Sequence, residues 1–450
     1  MKRTSIKVFV AAALSLCAMA SQASSIYAPY VDLTAWPTPI VDQIGVQQGI
    51  QQFSLAFIVG SSNGCVPSWG GVQDVGPGIS SDLLTAIATG ISNYRGKGGE
   101  VTVSFGGENG TPLMQVCSDV ASLQKAIQTV VDTYSLTHID FDIEGTAQDD
   151  LAALARNFQA VAQIQTAQAA KGTPLHVTLT VPVLASGLTQ DGLNVVNAAI
   201  ANNVAIDTVN VMAMDYGGSG FDMGQAAIQA AQSTYSQLDT AYKSVGQTKT
   251  NAQLWQLVGV TPMIGVNDTQ GETFTLDNAQ SLVNAAKNNG YGLLSNWSVG
   301  RDQACPGGPG GSASDSCSGV AQTPYQFASI LGQFADHWGT GVTKDPNYGG
   351  GSGSGGTGGT PAPWSAAKVY TAGMEVTYQG STYKAQWWTQ GDVPGQSSVW
   401  QLESGATPTW SASIAYTSGQ CVMYQGAKYC AQWWTQGNVP SAGGVWVKQG

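Results

Sequence analysis

Between residues 24 and 344, short β-rich apolar runs alternate with helix-like segments, and this alternation constrains the fold more than any other feature. Strands are predicted at 26–32, 53–59, 100–105, 136–143, 175–182, 208–214, 257–263 and 291–297. Helical segments such as 80–95, 120–134, 150–170, 222–244 and 277–288 lie between them. Strands joined through helices pair in parallel and need both faces covered. Eight such units in roughly 320 residues predict an α/β fold of the (β/α)8 or TIM-barrel class. An open doubly wound sheet is the alternative, but it has no glycine fingerprint here. Gly90…Gly96-Lys97-Gly98 is one residue too long for a phosphate loop, and no Ser or Thr follows the lysine.

Composition divides the rest of the chain. Gly349–Pro363 reads GGGSGSGGTGGTPAP and cannot build a core, so 345–363 is predicted to be a flexible linker with a stiffer Pro end. Beyond it, 364–404 falls on 410–450 with a shift of 46 and no gap. Trp364 meets Trp410, Tyr370 meets Tyr416, and Gln386-Trp387-Trp388-Thr389-Gln390-Gly391 meets Gln432-Trp433-Trp434-Thr435-Gln436-Gly437. These are two copies of one small module. Cys421 and Cys430 of the second copy stand where the first has Glu375 and Lys384. Both pairs flank a Tyr-Gln-Gly turn, so a disulfide in one hairpin is expected to replace an ion pair in the other.

Lys2, Arg3 and Lys7 precede an apolar run from Val8 to Ala20, with small residues through Ala23. That pattern predicts a signal peptide at 1–23 and a secreted, extracellular protein. Its removal takes away three cations and no acids, moving the formal net charge from −11 to −14. Six cysteines then remain: Cys65, Cys117, Cys305, Cys317, Cys421 and Cys430. An even count in an exported chain predicts three disulfides. Of the connectivities that six cysteines permit, proximity favours Cys305–Cys317 and Cys421–Cys430, which leaves Cys65–Cys117.

Charged residues make up 10% of the chain, against about 25% in an average protein. Lys and Arg total only 17, too few and too scattered for a nucleic-acid partner. Beyond the N-terminus no run approaches the ~18 apolar residues of a membrane span, so no membrane partner is expected after signal cleavage. Three dispersed His argue against a His-based metal site, and no metal or cofactor is expected. Low charge with 13 Trp and 16 Tyr suits a neutral polar ligand such as sugar, bound by a monomer.

In a barrel, the C-terminal ends of the strands line the active site. The most acidic such end is the fourth, Asp140-Phe141-Asp142-Ile143-Glu144. Alternation puts Asp140, Asp142 and Glu144 on one face and Phe141 and Ile143 on the other. Alternate positions lie about 6.6–6.8 Å apart along the backbone. Three carboxyl groups directed into a barrel cannot all ionise cheaply, which raises at least one pKa. An acid kept protonated near neutral pH is what protonating a glycosidic oxygen requires. A magnesium- or calcium-type oxygen site is the structural rival, but acids on the inner face of a barrel strand cost stability without a functional return. His138, on the face of Asp140 and deeper, is expected to be a hydrogen-bonded core histidine rather than a proton relay.

These residues carry a resemblance. Asp140-x-Asp142-x-Glu144 resembles the signature of glycoside hydrolase family 18 chitinases. Ser104-Phe105-Gly106-Gly107, ending the third strand, resembles that family's Ser-x-Gly-Gly motif. Met212-Ala213-Met214-Asp215-Tyr216, ending the sixth, resembles Met-x-Tyr-Asp, and Trp297 resembles the Trp that floors the central sugar subsite. Together the motifs cover about 24–340.

The resemblance implies a retaining, substrate-assisted hydrolysis, an exception to the two-carboxylate scheme. Glu144 would protonate the leaving oxygen and later activate water, while the substrate's acetamido oxygen attacks the anomeric carbon. Asp142 would orient the acetamide, with Asp140 and Ser104 tuning Asp142. Met212, Asp215, Tyr216 and Trp297 would bind the sugar, Asp215 and Tyr216 at the acetamido group. Three departures stand out: Met214 replaces the Tyr before Asp215, Thr137-His138 replaces Asp-Gly, and Ile143 replaces the Trp beside the acid. Relatives with a tunnel carry an α+β insertion between the seventh and eighth strands; residues 264–290 leave no room for one, which implies an open cleft and endo cleavage.

The modules resemble family 5/12 chitin-binding modules, small all-β domains. Strand alternation predicts that one Trp of each pair, Trp387/Trp388 and Trp433/Trp434, packs inside while its neighbour is exposed. The resulting expectation is a secreted endochitinase whose partners are chitin and chitooligosaccharides. An endo-β-N-acetylglucosaminidase and a chitin lectin without catalysis are the alternatives, the lectin disfavoured by the presence of Glu144.

Overall fold

The computed structural model describes residues 25–349 and 361–449, apart from 36, 37, 221, 367, 371–373, 386–388, 398, 413 and 417. The signal peptide predicted at 1–23, most of the linker, and Trp387 and Trp388 lie outside the described residues.

Caps define where the helices around the sheet begin. Side chains of Ser81, Asp119, Asp150, Thr189, Asp222, Thr250 and Thr275 each accept a backbone N–H of the first helical turn. The five predicted helices run Asp82–Gly96, Val120–Tyr134, Leu151–Ala170, Met223–Ser244 and Leu276–Asn289. Val41–Gln48, Gln190–Ala201 and Gln326–Leu331 complete the ring.

All eight predicted strands are present. The first comes in two pieces, Ile26–Tyr27 and Tyr30–Asp32. Gln52–Ser61, Glu100–Gly106, His138–Asp142, His176–Pro182, Thr208–Ala213, Val258–Pro262 and Leu293–Leu294 follow. Among these eight, every pairing is parallel. Tyr27 pairs with Leu294 while Val31 pairs with Leu55, so the first strand joins the eighth to the second and closes a TIM barrel. Outward residues such as Val103, Ile139, Leu179, Val211 and Val260 are fully buried beneath the helices. Behind the acid strand, Phe141 stacks on Phe105 at 5.4 Å and meets Phe158 edge-on at 6.4 Å.

His138 is a core residue at the opposite end of the barrel from the site. Its Nδ1 lies 2.8 Å from Thr137 Oγ1, and its ring is stacked on Trp338 at 3.7 Å and His176 at 4.5 Å. Burial, then the adjacent His176, lowers its pKa well below the ordinary value. No described helix is long and apolar enough to cross a membrane.

Three disulfides, Cys65–Cys117, Cys305–Cys317 and Cys421–Cys430, follow the pairing that proximity favours. The first staples a hairpin that the alternation pattern does not reveal, where the second strand turns back through Gly64–Trp69.

Each module is a three-stranded antiparallel sheet with a two-stranded ribbon. The first holds Glu375–Tyr378, Ser381–Ala385 and Trp400–Ser404; the second holds Cys421–Tyr424, Ala427–Ala431 and Trp446–Gln449. Tyr370 meets Trp400 edge-on at 5.1 Å, and Tyr416 meets Trp446 at 5.3 Å, so the copies share one core design.

Candidate active site

The third strand shapes the backbone of the fourth. Ser104 pairs with Asp140, and Gly106 with Asp142. Gly106 has φ +112, and a Cβ there would lie 1.9 Å from the Asp142 carbonyl oxygen. Only glycine fits so close an approach. The next residue, Gly107, donates its N–H to that carbonyl at 3.0 Å. The two glycines therefore hold the backbone of the central acid.

Asp140 is fully enclosed. Its Oδ2 accepts Ser104 Oγ–H at 2.5 Å and Tyr30 O–H at 2.8 Å, and its Oδ1 accepts Thr180 Oγ1–H at 2.8 Å. Burial pushes its pKa up to about 6, with the three hydroxyl hydrogen bonds pulling the other way. The network continues across the barrel: Asn210 Nδ2 donates to Thr180 at 3.0 Å, and Thr261 donates to Asn210 Oδ1 at 2.9 Å. Sequence reasoning missed Tyr30, Thr180, Asn210 and Thr261. Their signal was a polar residue on the inner face of an otherwise apolar strand.

Asp142 is buried with one carboxyl oxygen, Oδ1, lacking a hydrogen-bond partner. Burial first, then Glu144 and Asp140, raises its pKa well above the carboxylate range. Glu144 lies just past the strand end and is half-buried. Burial, followed by the charge of Glu108, pushes it up to about 7, while a hydrogen bond with Asp142 opposes the shift. A protonated acid is thus available near neutral pH at the mouth of the barrel.

Trp297 adjoins the acids through Tyr30. It stacks on Phe57 at 5.6 Å and 18°, and Tyr30 lies 5.9 Å away while its hydroxyl bonds Asp140. Phe57 is a further residue that the sequence did not flag. Met212 is half-buried on the inner face of the sixth strand. Asp215, exposed and left-handed at φ 50, accepts the N–H of Thr269 at 2.7 Å. One carboxylate oxygen, Oδ1, is thereby tied to the following loop. Tyr216 is half-buried against the barrel core, and burial and then Glu272 raise its pKa. Among the described residues, no group of three His, Cys, Asp or Glu is arranged to hold a metal ion.

In the second module, Trp433 and Trp434 are 53% and 62% exposed. The predicted split of one ring inside and one outside is therefore wrong for this copy. Residues 432–434 form a bend between Ala427–Ala431 and Thr435–Gln436, so strand alternation does not govern them. Trp446 fills the core instead.

A closed eightfold barrel with buried acids at the C-terminal end of its fourth strand defines the class, a TIM-barrel enzyme. Residues 47–261 match the model of glycosyl hydrolases family 18, and 363–401 and 409–447 each match carbohydrate-binding module family 5/12. Active domain 2 of the chitinase from Pyrococcus furiosus is 30% identical with a TM-score of 0.59, covering 69% of this chain and 95% of that one. A probable bifunctional chitinase/lysozyme of Escherichia coli is 35% identical over 69% of this chain, and endochitinase 11 of Metarhizium anisopliae 34% identical over 62%. The chain spans 34% and 52% of the lengths of these two curated relatives. This chain belongs to glycosyl hydrolase family 18.

Proposed function

We propose that the protein is a secreted chitinase that hydrolyses β-1,4-linked N-acetylglucosamine polymers with retention, through substrate assistance. One observation carries the reading: Glu144, raised to about 7, stands beside a buried Asp142 whose Oδ1 has no partner. Glu144 protonates the glycosidic oxygen and then, as carboxylate, takes a proton from water. Asp142 Oδ1 accepts the acetamido N–H and stabilises the positive charge that develops as the acetamido oxygen attacks. Asp140, held by Ser104, Tyr30 and Thr180, stores or releases charge beneath Asp142. Trp297 packs under the sugar ring, and the loop of Asp215 and Tyr216 holds the acetamido group.

Chemistry at the modules supports an insoluble substrate. Flat exposed rings such as Trp433 and Trp434 offer apolar faces to pyranose C–H surfaces, and two linked modules raise avidity on a repetitive solid. Between the seventh and eighth strands stand only the short pair Gly265–Val266 and Thr273–Phe274 and the helix Leu276–Asn289. That supports an open cleft and endo cleavage. Three disulfides suit an oxidising compartment.

Product masses from chitin oligomers and from a high-mannose glycopeptide test the substrate. Internal cuts in the oligomers with no glycan release are expected. Glycan release from the glycopeptide would transfer the activity to an endo-β-N-acetylglucosaminidase.

A further inference from the structure

The loop that follows the sixth strand is tied to the loop that follows the seventh. Asp215 at φ 50, Gly217 at +84 and Gly220 at +84 all occupy the left-handed region, which an L-residue such as Asp215 enters at a cost. Its anchor comes from the next loop. Glu272 lies in the turn joining the antiparallel pair Gly265–Val266 and Thr273–Phe274. Its Oε2 accepts the N–H of Tyr216 at 3.0 Å, and its Oε1 accepts the N–H of Gly218 at 3.2 Å. Asp215 returns the contact by accepting the N–H of Thr269. Each loop thus gives one carboxylate to the backbone of the other. A Cβ on Gly271 would sit 3.0 Å from Ser219 Cβ, so the two backbones also touch.

Glu272 is 0% exposed, and among the described residues no ion pair reaches it. Burying a carboxylate without a cation is costly unless strong donors satisfy it. Here both oxygens engage donors from one loop, and charge-assisted hydrogen bonds of this kind are about twice as strong as neutral ones. The anchor is itself held in place. The Glu272 N–H bonds Thr269 O at 3.2 Å, and Asn267 donates to the carbonyls of Met263 and Gly265. Arg301, just beyond Trp297, donates to the carbonyls of Ile264 and Val266 at 3.0 and 2.6 Å. The loops after the sixth, seventh and eighth strands are therefore one connected unit.

We infer that Glu272 is a positioning residue that fixes the Asp215–Tyr216 loop so that the substrate's acetamido oxygen is aimed at the anomeric carbon. This rests on the substrate-assisted reading above. In that reading the acetamido group is the nucleophile, and a displacement of about 1 Å costs about 100-fold in rate. Glu272→Gln keeps one acceptor oxygen but turns an amide N–H toward the second backbone donor. Glu272→Ala removes both acceptors.

The test compares the full chain with Glu272→Gln, Glu272→Ala and Glu144→Gln on two substrates. One is a chitin oligomer; the other is an aryl chitooligosaccharide whose phenol leaves without acid help. The expected fall in kcat is about 10-fold for Glu272→Gln and about 100-fold for Glu272→Ala, equal on both substrates. The Glu144→Gln loss shrinks on the aryl substrate, because its first step no longer needs the acid. The alkaline limb of the pH profile stays where it is in the Glu272 variants. Rates are referred to folded enzyme by near-UV circular dichroism, and if Glu272→Ala does not fold, the isosteric Gln variant decides. Rates within twofold of the parent, or a loss that also shrinks on the aryl substrate, would overturn the inference. Full turnover by Glu144→Gln on the oligomer would instead sink the reading on which it rests.

Discussion

The barrel and the second module present opposite surfaces to what we read as the same polymer. In the barrel the groups we read as catalytic are ionisable and hidden: Asp140 and Asp142 are 1% and 4% exposed, and three hydroxyls satisfy Asp140 in place of water while Asp142 Oδ1 is left without a partner. In the module they are neutral and open, two indoles lying on a bend outside the sheet. Burial is what moves a carboxyl pKa toward neutrality, and it is useful only where a proton must be transferred. Exposure lets an aromatic face meet a solid that cannot enter a cavity. Scarcity of charge in the chain as a whole fits this division, because few positions need it.

The largest expected effect breaks the barrel alone. Glu144→Gln should lower kcat on chitin oligomers by about 10³-fold, within the range for loss of a general acid. Sedimentation with insoluble chitin should show unchanged binding. Retained turnover would remove the acid from Glu144.

Next in size is the pH response. In the proposed mechanism Glu144 works as an acid only while protonated, and burial raises its pKa to about 7. The kcat/KM of the free enzyme should therefore fall about tenfold per pH unit above that value, while binding to chitin by the modules stays flat. Stability has its own sign. Asp140 is raised from 3.8 to about 6, so the folded state favours its protonated form. Its contribution is complete below about pH 4 and is lost as pH rises through about 6. Asp140→Asn should flatten that part of a barrel melting curve followed against pH.

A smaller effect breaks the module alone. Trp433→Ala with Trp434→Ala should weaken binding to insoluble chitin, since burying one large apolar side chain contributes about 1.5–3 kcal/mol. Hydrolysis of soluble oligomers should be unchanged. A single substitution at either position should produce part of the loss, because both rings are open; if one of them produced none, the two-ring surface would be wrong.

The barrel was legible because its signal is local. Each strand is a short apolar run beside a helix, most of these helices have a side-chain cap at their start, and period-two alternation on one strand already grouped Asp140, Asp142 and Glu144. The supporting shell was not legible. Tyr30 reaches Asp140 across 110 residues of sequence, and Thr180 across 40. Such residues look like ordinary polar interruptions until closure brings the strands together. Glu272 resembles any loop acid, since its two partners lie 56 and 54 residues away. The Trp pair failed for a different reason. Alternation is a property of paired strand, and nothing in Gln432-Trp433-Trp434 reveals that pairing stops after Ala431.

The smallest expected effect sharpens a comparison inside the tail. Glu375 opposes Lys384 in the first module exactly where Cys421 opposes Cys430 in the second, at the same register of the same hairpin. The ion pair is exposed at both ends with 3.9 Å between Nζ and Oε1, and pairs of that kind contribute about 0–1 kcal/mol. The disulfide closes a short loop, with a sequence separation of 9, and should contribute about 2–3 kcal/mol. The copies share the Tyr370–Trp400 and Tyr416–Trp446 core pair but not its rim, where Met374 and Leu402 of the first stand against Gln420 and Lys448 of the second; the disulfide is expected to outweigh that difference, so the first module should open first. Hydrogen exchange on the full chain measures both hairpins in one sample. Faster exchange is expected in Glu375–Ala385 than in Cys421–Ala431. Cys421→Glu with Cys430→Lys should bring the second hairpin to the rate of the first, since it installs the first module's pair in an equivalent frame. If the rates already match in the parent, the disulfide adds nothing that the sheet did not supply. A gap that persists after the swap would place the difference elsewhere in the two cores.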